Sequence, residues 1–300
     1  MTQEEHSQSV GYLYAGLTIL IWASFVVISR LGGKSALTPF DITALRLTVS
    51  GLILGVWLLK RGLPPLKIHQ IAVFVACVGF AYPLFAYSGF AFAPASHGAL
   101  LLSGTLPFMT ALLGLLILGE RLTRARVLGL LLIACGVGLI GGESLTGVRG
   151  ERDWLGDILF LCASFSWALF TIFLKKWRVR ALDVTLTVGV CSMLAYMPIY
   201  LLFLPKNIAQ APMQDIVLQA AFQGVLVVCV AMILFIKATE HLGPVRISML
   251  MSLVPALGAL LAVPVVGEPL TQVVTVGTGL VSTGALLGAL GKRPQPAAVQ

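Results

Sequence analysis

Residues 119–126 read GERLTRAR, and residues 267–274 read GEPLTQVV. The two phrases share Gly-Glu-x-Leu-Thr, yet the first holds three arginines and the second none. Sliding the chain by 148 residues lays one phrase on the other and also sets Pro107 on Pro255, Gly129 on Gly277 and Gly136 on Gly284. A looser echo matches WASFVVISR (22–30) with WALFTIFLK (167–175). Self-similarity over so long a period means that the chain is built twice from one unit.

Composition says what that unit is made of. Apolar residues are 58% of the chain and charged residues 11%, too little polar surface to cover a soluble core. The apolar runs approach the ~20 residues that cross a bilayer as helix. Ten are predicted, at about 11–30, 42–59, 69–88, 95–118, 125–141, 154–174, 183–204, 214–238, 243–266 and 272–290. The expected fold is therefore an all-α polytopic membrane protein. Its first five-helix repeat covers 1–141, an external linker 142–153, the second repeat 154–291, and a disordered tail 292–300. The acidic, polar N-terminus and the length of the first run do not suit a cleavable signal peptide.

The missing arginines follow from topology. Lys and Arg collect in loops on the cytoplasmic side of membrane proteins. Loops after even-numbered spans, with both termini, hold thirteen: Lys60, Arg61, Lys67, Arg121, Arg124, Arg126, Lys175, Lys176, Arg178, Arg180, Lys237, Lys292 and Arg293. The other side holds five: Arg30, Lys34, Arg149, Arg152 and Lys206. Both termini are thus expected in the cytoplasm. Because five is odd, the second repeat enters upside down. GERLTRAR is then internal and GEPLTQVV external, where basic residues would oppose insertion. Inverted repeats are a transporter architecture, with two halves rocking about a midplane site.

The doubled segments TLPFMTALLGLLILGERLT and LVPALGALLAVPVVGEPLT, with the Trp phrases opening each half, resemble the EamA family of the drug/metabolite transporter superfamily. The aromatic third span makes the chain similar to bacterial aromatic amino-acid exporters. The resemblance implies ten helices, export of small metabolites, and a central cavity lined mainly by helices 1, 3, 4, 6, 8 and 9.

The residues offer candidates for such a site. Trp22 and Trp167 sit near the centres of spans 1 and 6, where an indole N–H needs a partner or a wet cavity. In YPLFAYSGFAF, Tyr82, Phe85 and Phe92 share a helical face, with Tyr87 and Phe90 adjoining. Tyrosine hydroxyls should point into the bundle and not into lipid. His97, in the first turns of span 4 after Pro94, is an ionisable group able to meet a carboxylate or a proton. Pro107 and Pro255 free the carbonyls of Ser103 and Met251, kink their helices and shape gates, with Ser103 a further polar contact. Glu120 and Glu268 close the repeated phrase and are expected to be structural or gating groups, paired with loop basics or capping a helix. Arg46 is expected to snorkel outward or to pair with Asp41. The glycines seven apart, Gly129/Gly136 and Gly277/Gly284, give small faces for helix contact, a dimer contact included.

The same residues exclude other classes. No basic, aromatic-interleaved soluble segment exists for nucleic acid. The five cysteines show no metal-ligand spacing, and no phosphate-binding loop is present, so no cofactor or metal is expected. No Asp or Glu stands in the middle of a span to serve a carboxylate relay, and a membrane enzyme would lack a nucleophile with its base. The reading is an exporter of amino acids with aromatic or bulky apolar side chains, in the bacterial inner membrane, with substrate and lipid as its partners. Other small metabolites or cationic drugs are the alternative cargo, and a sensor is the alternative class. The sequence leaves the oligomeric state open, a monomer included.

Overall fold

The computed structural model describes residues 3–120, 122–145 and 150–290, with backbone only at 3–7, 244 and 245. The expected tail (292–300) and part of the linker, with Arg121, Arg149, Lys292 and Arg293 of the charge count, lie outside them. Ten helices long and apolar enough to span a membrane fill the described chain. They are α1 (Gln8–Lys34, continuing a helix that starts at Gln3), α2 (Pro39–Arg61), α3 (Ile68–Phe92), α4 (Ala95–Leu118) and α5 (Arg124–Leu145). The second five are α6 (Asp153–Trp177), α7 (Ala181–Phe203), α8 (Met213–Gly243), α9 (Arg246–Val266) and α10 (Gln272–Leu290). α5 runs four residues past its expected end, and α8 reaches Gly243, so Lys237 stands inside a helix and not in a loop.

Ten alternating spans put Gln3 and Leu290 at one end of the bundle, the terminal end; the other is the far end. Packing crosses between the repeats. α1 lies against α8 and α9 of the second half, and α6 lies against α3 and α4 of the first. Three further contacts join equivalent helices: α2 with α7, α4 with α9, and α5 with α10. Exchanging the two halves maps this set onto itself, as an in-plane twofold requires. One feature breaks the symmetry. The far half of α1 also packs on α3 and the start of α4, while the matching contact of α6 with α8 and α9 is sparse.

The glycine stripes are spent inside the chain. A Cβ on Gly129 would sit 2.5 Å from the Gly284 carbonyl oxygen, and one on Gly136 would sit 2.8 Å from that of Gly277. Gly129 with Gly284 and Gly136 with Gly277 are thus the points where α5 and α10 touch backbone to backbone. The close helix contact expected from sequence is made within the chain. The repeated phrase has a local cause as well: Gly119 (φ 65°) and Gly267 (φ 72°) both turn left-handed to end α4 and α9. Only glycine does so without steric cost, and each turn delivers the glutamate that follows.

Three stretches widen into π-helical turns: 75–81 in α3, 99–104 in α4 and 220–230 in α8. Those in α3 and α8 occupy equivalent places in the two repeats. Such turns rotate the side chains beyond them and gather at functional sites.

Candidate functional site

The far half of α3 supplies a fully buried aromatic face. Tyr82, Ala86, Gly89 and Phe90 are buried, whereas Phe85 and Phe92 are only half-buried. The inward face is therefore turned away from the Tyr82–Phe85–Phe92 stripe expected from sequence. Its centre follows the contacts of α3 with both α1 and α6. The Tyr82 ring lies 4.8 Å from that of Trp167 on α6 and 6.5 Å from Phe25 on α1. Phe25 also meets Tyr87 and Phe90, at 6.3 and 6.1 Å. Trp22, one helical turn before Phe25, packs on Phe235 of α8 at 5.3 Å. Trp22, Phe85 and Trp167 all border this one cluster and remain half-buried. Among the described residues neither indole N–H of Trp22 and Trp167 has a hydrogen-bond acceptor. Phe25 was not anticipated; its spacing of three from Trp22 was the available signal.

Beside the aromatic cluster runs a buried polar chain that joins both repeats. Arg46 Nη1 donates to the Tyr87 hydroxyl at 3.2 Å, and that hydroxyl donates to Gln223 Oε1 at 3.2 Å. Gln223 Nε2 reaches Ser29 Oγ at 3.1 Å and Gln219 Oε1 at 3.2 Å, and Gln219 Nε2 reaches the Ile28 carbonyl at 2.8 Å. Arg46 neither snorkels nor pairs with Asp41. Five residues apart on a helix, the two point about 140° from one another. Asp41 is instead held by Thr38, by the Tyr200 hydroxyl at 2.5 Å and by the Asn207 N–H at 3.0 Å. Arg46 turns inward, 5.8 Å from the Tyr82 ring centroid. Gln219 and Gln223, four apart in an apolar helix, are the sequence signal for this network.

His97 lies apart from the aromatic cluster, at the far end. Its Nδ1 is 2.9 Å from Asp157 Oδ1 in the second turn of α6, and Ser144 at the end of α5 donates to the other Asp157 oxygen. Nε2 is buried without a partner among the described residues. A carboxylate thus reaches His97 from a helix end, not from the middle of a span. Ser103 is half-buried on α4; the hydroxyl that bridges to α6 is that of Thr105, 2.9 Å from Ser164 Oγ.

The two glutamates of the repeated phrase make equivalent pairs across the repeats. Glu268, after α9, accepts from Arg30 Nε at 2.7 Å, from Lys34 at 3.0 Å and from the Ala95 N–H at 2.7 Å. Burial pushes its carboxyl up, but bonds from Arg30, Ala95 and Lys34 outweigh it and hold the carboxyl below its ordinary 4.5. Glu120, after α4, pairs with Lys175 at the end of α6. The far-end pair is 13% exposed on both sides, whereas Lys175 and Glu120 are 46% and 29% exposed. The prolines differ in the same sense: Pro255 is buried and Pro107 exposed. Before Pro107 the backbone widens over 99–104, and before Pro255 it tightens, with Ser252 and Leu253 bonding three residues back. Of the two glutamate pairs, the far-end one is the more buried.

The sequence of this bundle matches the EamA-like transporter family over residues 9–142 and again over 154–289. The chain belongs to that family. This EamA-like chain is 30% identical over 162 residues to a probable amino-acid metabolite efflux pump of Escherichia coli, covering 53% of this chain and 52% of that one. It is 22% identical to an uncharacterised transporter of Clostridium kluyveri over 92% of both. A crystal structure with 21% identity superposes with a TM-score of 0.59, covering 93% of this chain and 96% of that one, which supports the fold alone. The EamA-like protein is a multi-pass membrane transporter of ten helices in two repeats.

Proposed function

We propose that this EamA-like protein exports amino acids with aromatic or bulky apolar side chains from the cytoplasm by alternating access. Both termini are then cytoplasmic, and the far end faces outward. One observation carries the reading: Tyr82, Trp167, Phe25 and Trp22 form an aromatic cluster near mid-span, drawn from α1, α3 and α6, where the two repeats meet. Flat apolar walls with a few polar groups are the usual make-up of a small-molecule site. The similarity to the efflux pump of Escherichia coli supports the amino-acid class.

The cross-repeat pairs suit the two gates. Glu268 with Arg30 and Lys34, and His97 with Asp157, hold the outer end; Glu120 with Lys175 holds the inner. Both sets are made in this structure, so opening either end breaks the set at that end while the other holds. Cationic drugs are a poorer cargo. They call for a buried acid, and no carboxylate is found bonded into the aromatic cluster among the described residues.

Counterflow in proteoliposomes tests the reading, with labelled amino acids, sugars and amines as probes. Accumulation of aromatic or large apolar amino acids is expected. Accumulation of sugars or amines alone would replace the assignment.

A further inference from the structure

Arg46 is 6% exposed and sits seven residues into α2, roughly 10 Å along its axis from Pro39. A guanidinium stays charged at any working pH and presents five N–H donors. Only one of the five has a protein acceptor among the described residues, the Tyr87 hydroxyl. No Asp or Glu among them lies within ion-pairing distance of Arg46. A buried cation without counter-charge is strongly unfavourable, and a helix brace at this position would be served better by a neutral side chain. The surroundings explain its retention. Arg46 shares the Tyr82 ring with Trp167 and Phe25, so a fixed positive charge adjoins the apolar aromatic walls. For a positive group the side-chain oxygens of this network, on Tyr87, Gln219, Gln223 and Ser29, are neutral and already hydrogen-bonded.

We propose that Arg46 binds the carboxylate of the transported molecule. The guanidinium N–H groups that Tyr87 leaves free take the two carboxylate oxygens, and the apolar part of the substrate lies on Tyr82 and Trp167. A bidentate guanidinium–carboxylate pair supplies the missing counter-charge. An α-ammonium group is not read, so aromatic carboxylic acids that lack it compete with the amino acid, and the corresponding amines do not. This deepens the export reading above and rests on it for transport, though not for binding.

The test is competition for phenylalanine counterflow by 3-phenylpropionate and by phenethylamine, in wild type, Arg46→Gln and Arg46→Lys. In wild type the acid should compete within about threefold of phenylalanine itself and the amine should fail. Arg46→Gln should weaken phenylalanine and the acid alike by about tenfold or more, with Arg46→Lys between. Competition by the amine as strong as by the acid overturns the proposal, as does Arg46→Gln behaving like wild type. Should Arg46→Gln not fold, the wild-type pattern and Arg46→Lys decide. If wild type moves no phenylalanine, the amino-acid reading fails by itself. Thermal stabilisation of the purified protein then tests Arg46 separately. Stabilisation by the acid alone, lost in Arg46→Gln, upholds it; stabilisation by both compounds or by neither overturns it.

Discussion

Single side chains decide what this bundle can hold. Trp167 contributes a ring to both Tyr82 and Phe170 and keeps its indole N–H unengaged among the described residues. Trp167→Ala removes a wall of the cluster and a donor, and should raise the KM for an aromatic substrate by about tenfold or more while membrane insertion is unchanged. Tyr82→Phe keeps the ring and loses only a hydroxyl, so a change of about tenfold or less is expected. Counterflow kinetics on both variants check this, and normal transport by both would move the site elsewhere. The candidates legible in the sequence are residue types unusual inside a span: a tryptophan and a tyrosine near its middle, a histidine near its end. Arg46 was visible but misassigned, because its nearest acid in sequence is Asp41 and helix geometry points the two apart. Asp157 lies near the start of its helix, where a carboxylate looks interfacial. Partnership between residues 60 apart has no sequence signal without the fold.

Helices meet through contacts that a repeat makes legible in pairs. The Gly129–Gly284 and Gly136–Gly277 crossings were readable as small faces, while their partner helix was not. Gly284→Val should lower the unfolding temperature by several degrees, since its Cβ would meet the Gly129 carbonyl at 2.5 Å. Gly279→Val, with open space around it, is the control expected to leave it unchanged. Melting both in detergent distinguishes them. The end of α9 is governed by charge. Glu268 has a carboxyl held below 4.5 by Arg30, Lys34 and the Ala95 N–H in the closed arrangement. A group depressed in this way favours closure fully above its ordinary value and loses that contribution as pH falls through the depressed one. Acid on the far side should therefore loosen the far end, and Glu268→Gln should do so at neutral pH. Labelling of an Ala99→Cys variant, in a cysteine-free background, by an impermeant maleimide reads the change. Ala99 is fully buried, so faster labelling in Glu268→Gln than in the Ala99→Cys parent is expected. An unchanged rate would remove Glu268 from the gate.

Orientation belongs to the molecule as a whole. The repeat told from GERLTRAR and GEPLTQVV accounts for the ten spans and for contacts that survive exchange of the halves. It could not give the difference between the two glutamate pairs, the far-end one more buried than the other, because both come from nearly the same phrase. Each repeat has the same helices and nearly the same phrase, so little but loop charge distinguishes their two insertions. After α4 the phrase keeps Arg124 and Arg126; after α9 the matching positions are Gln272 and Val274. Placing Arg at Gln272 and Val274, with a third at Val273, would give the second copy the inward-retaining signal of the first. α9 and α10 should then fail to adopt their orientation in part of the population, and the C-terminus should appear outside or the last two spans should be left uninserted. A reporter fused after Gln300 that is active on one side of the membrane only would register the shift. Equal charge added to the loop after α4 should leave the reporter where it was. A C-terminus that stays put in both variants would mean that packing between the repeats, and not loop charge, sets the handed pair.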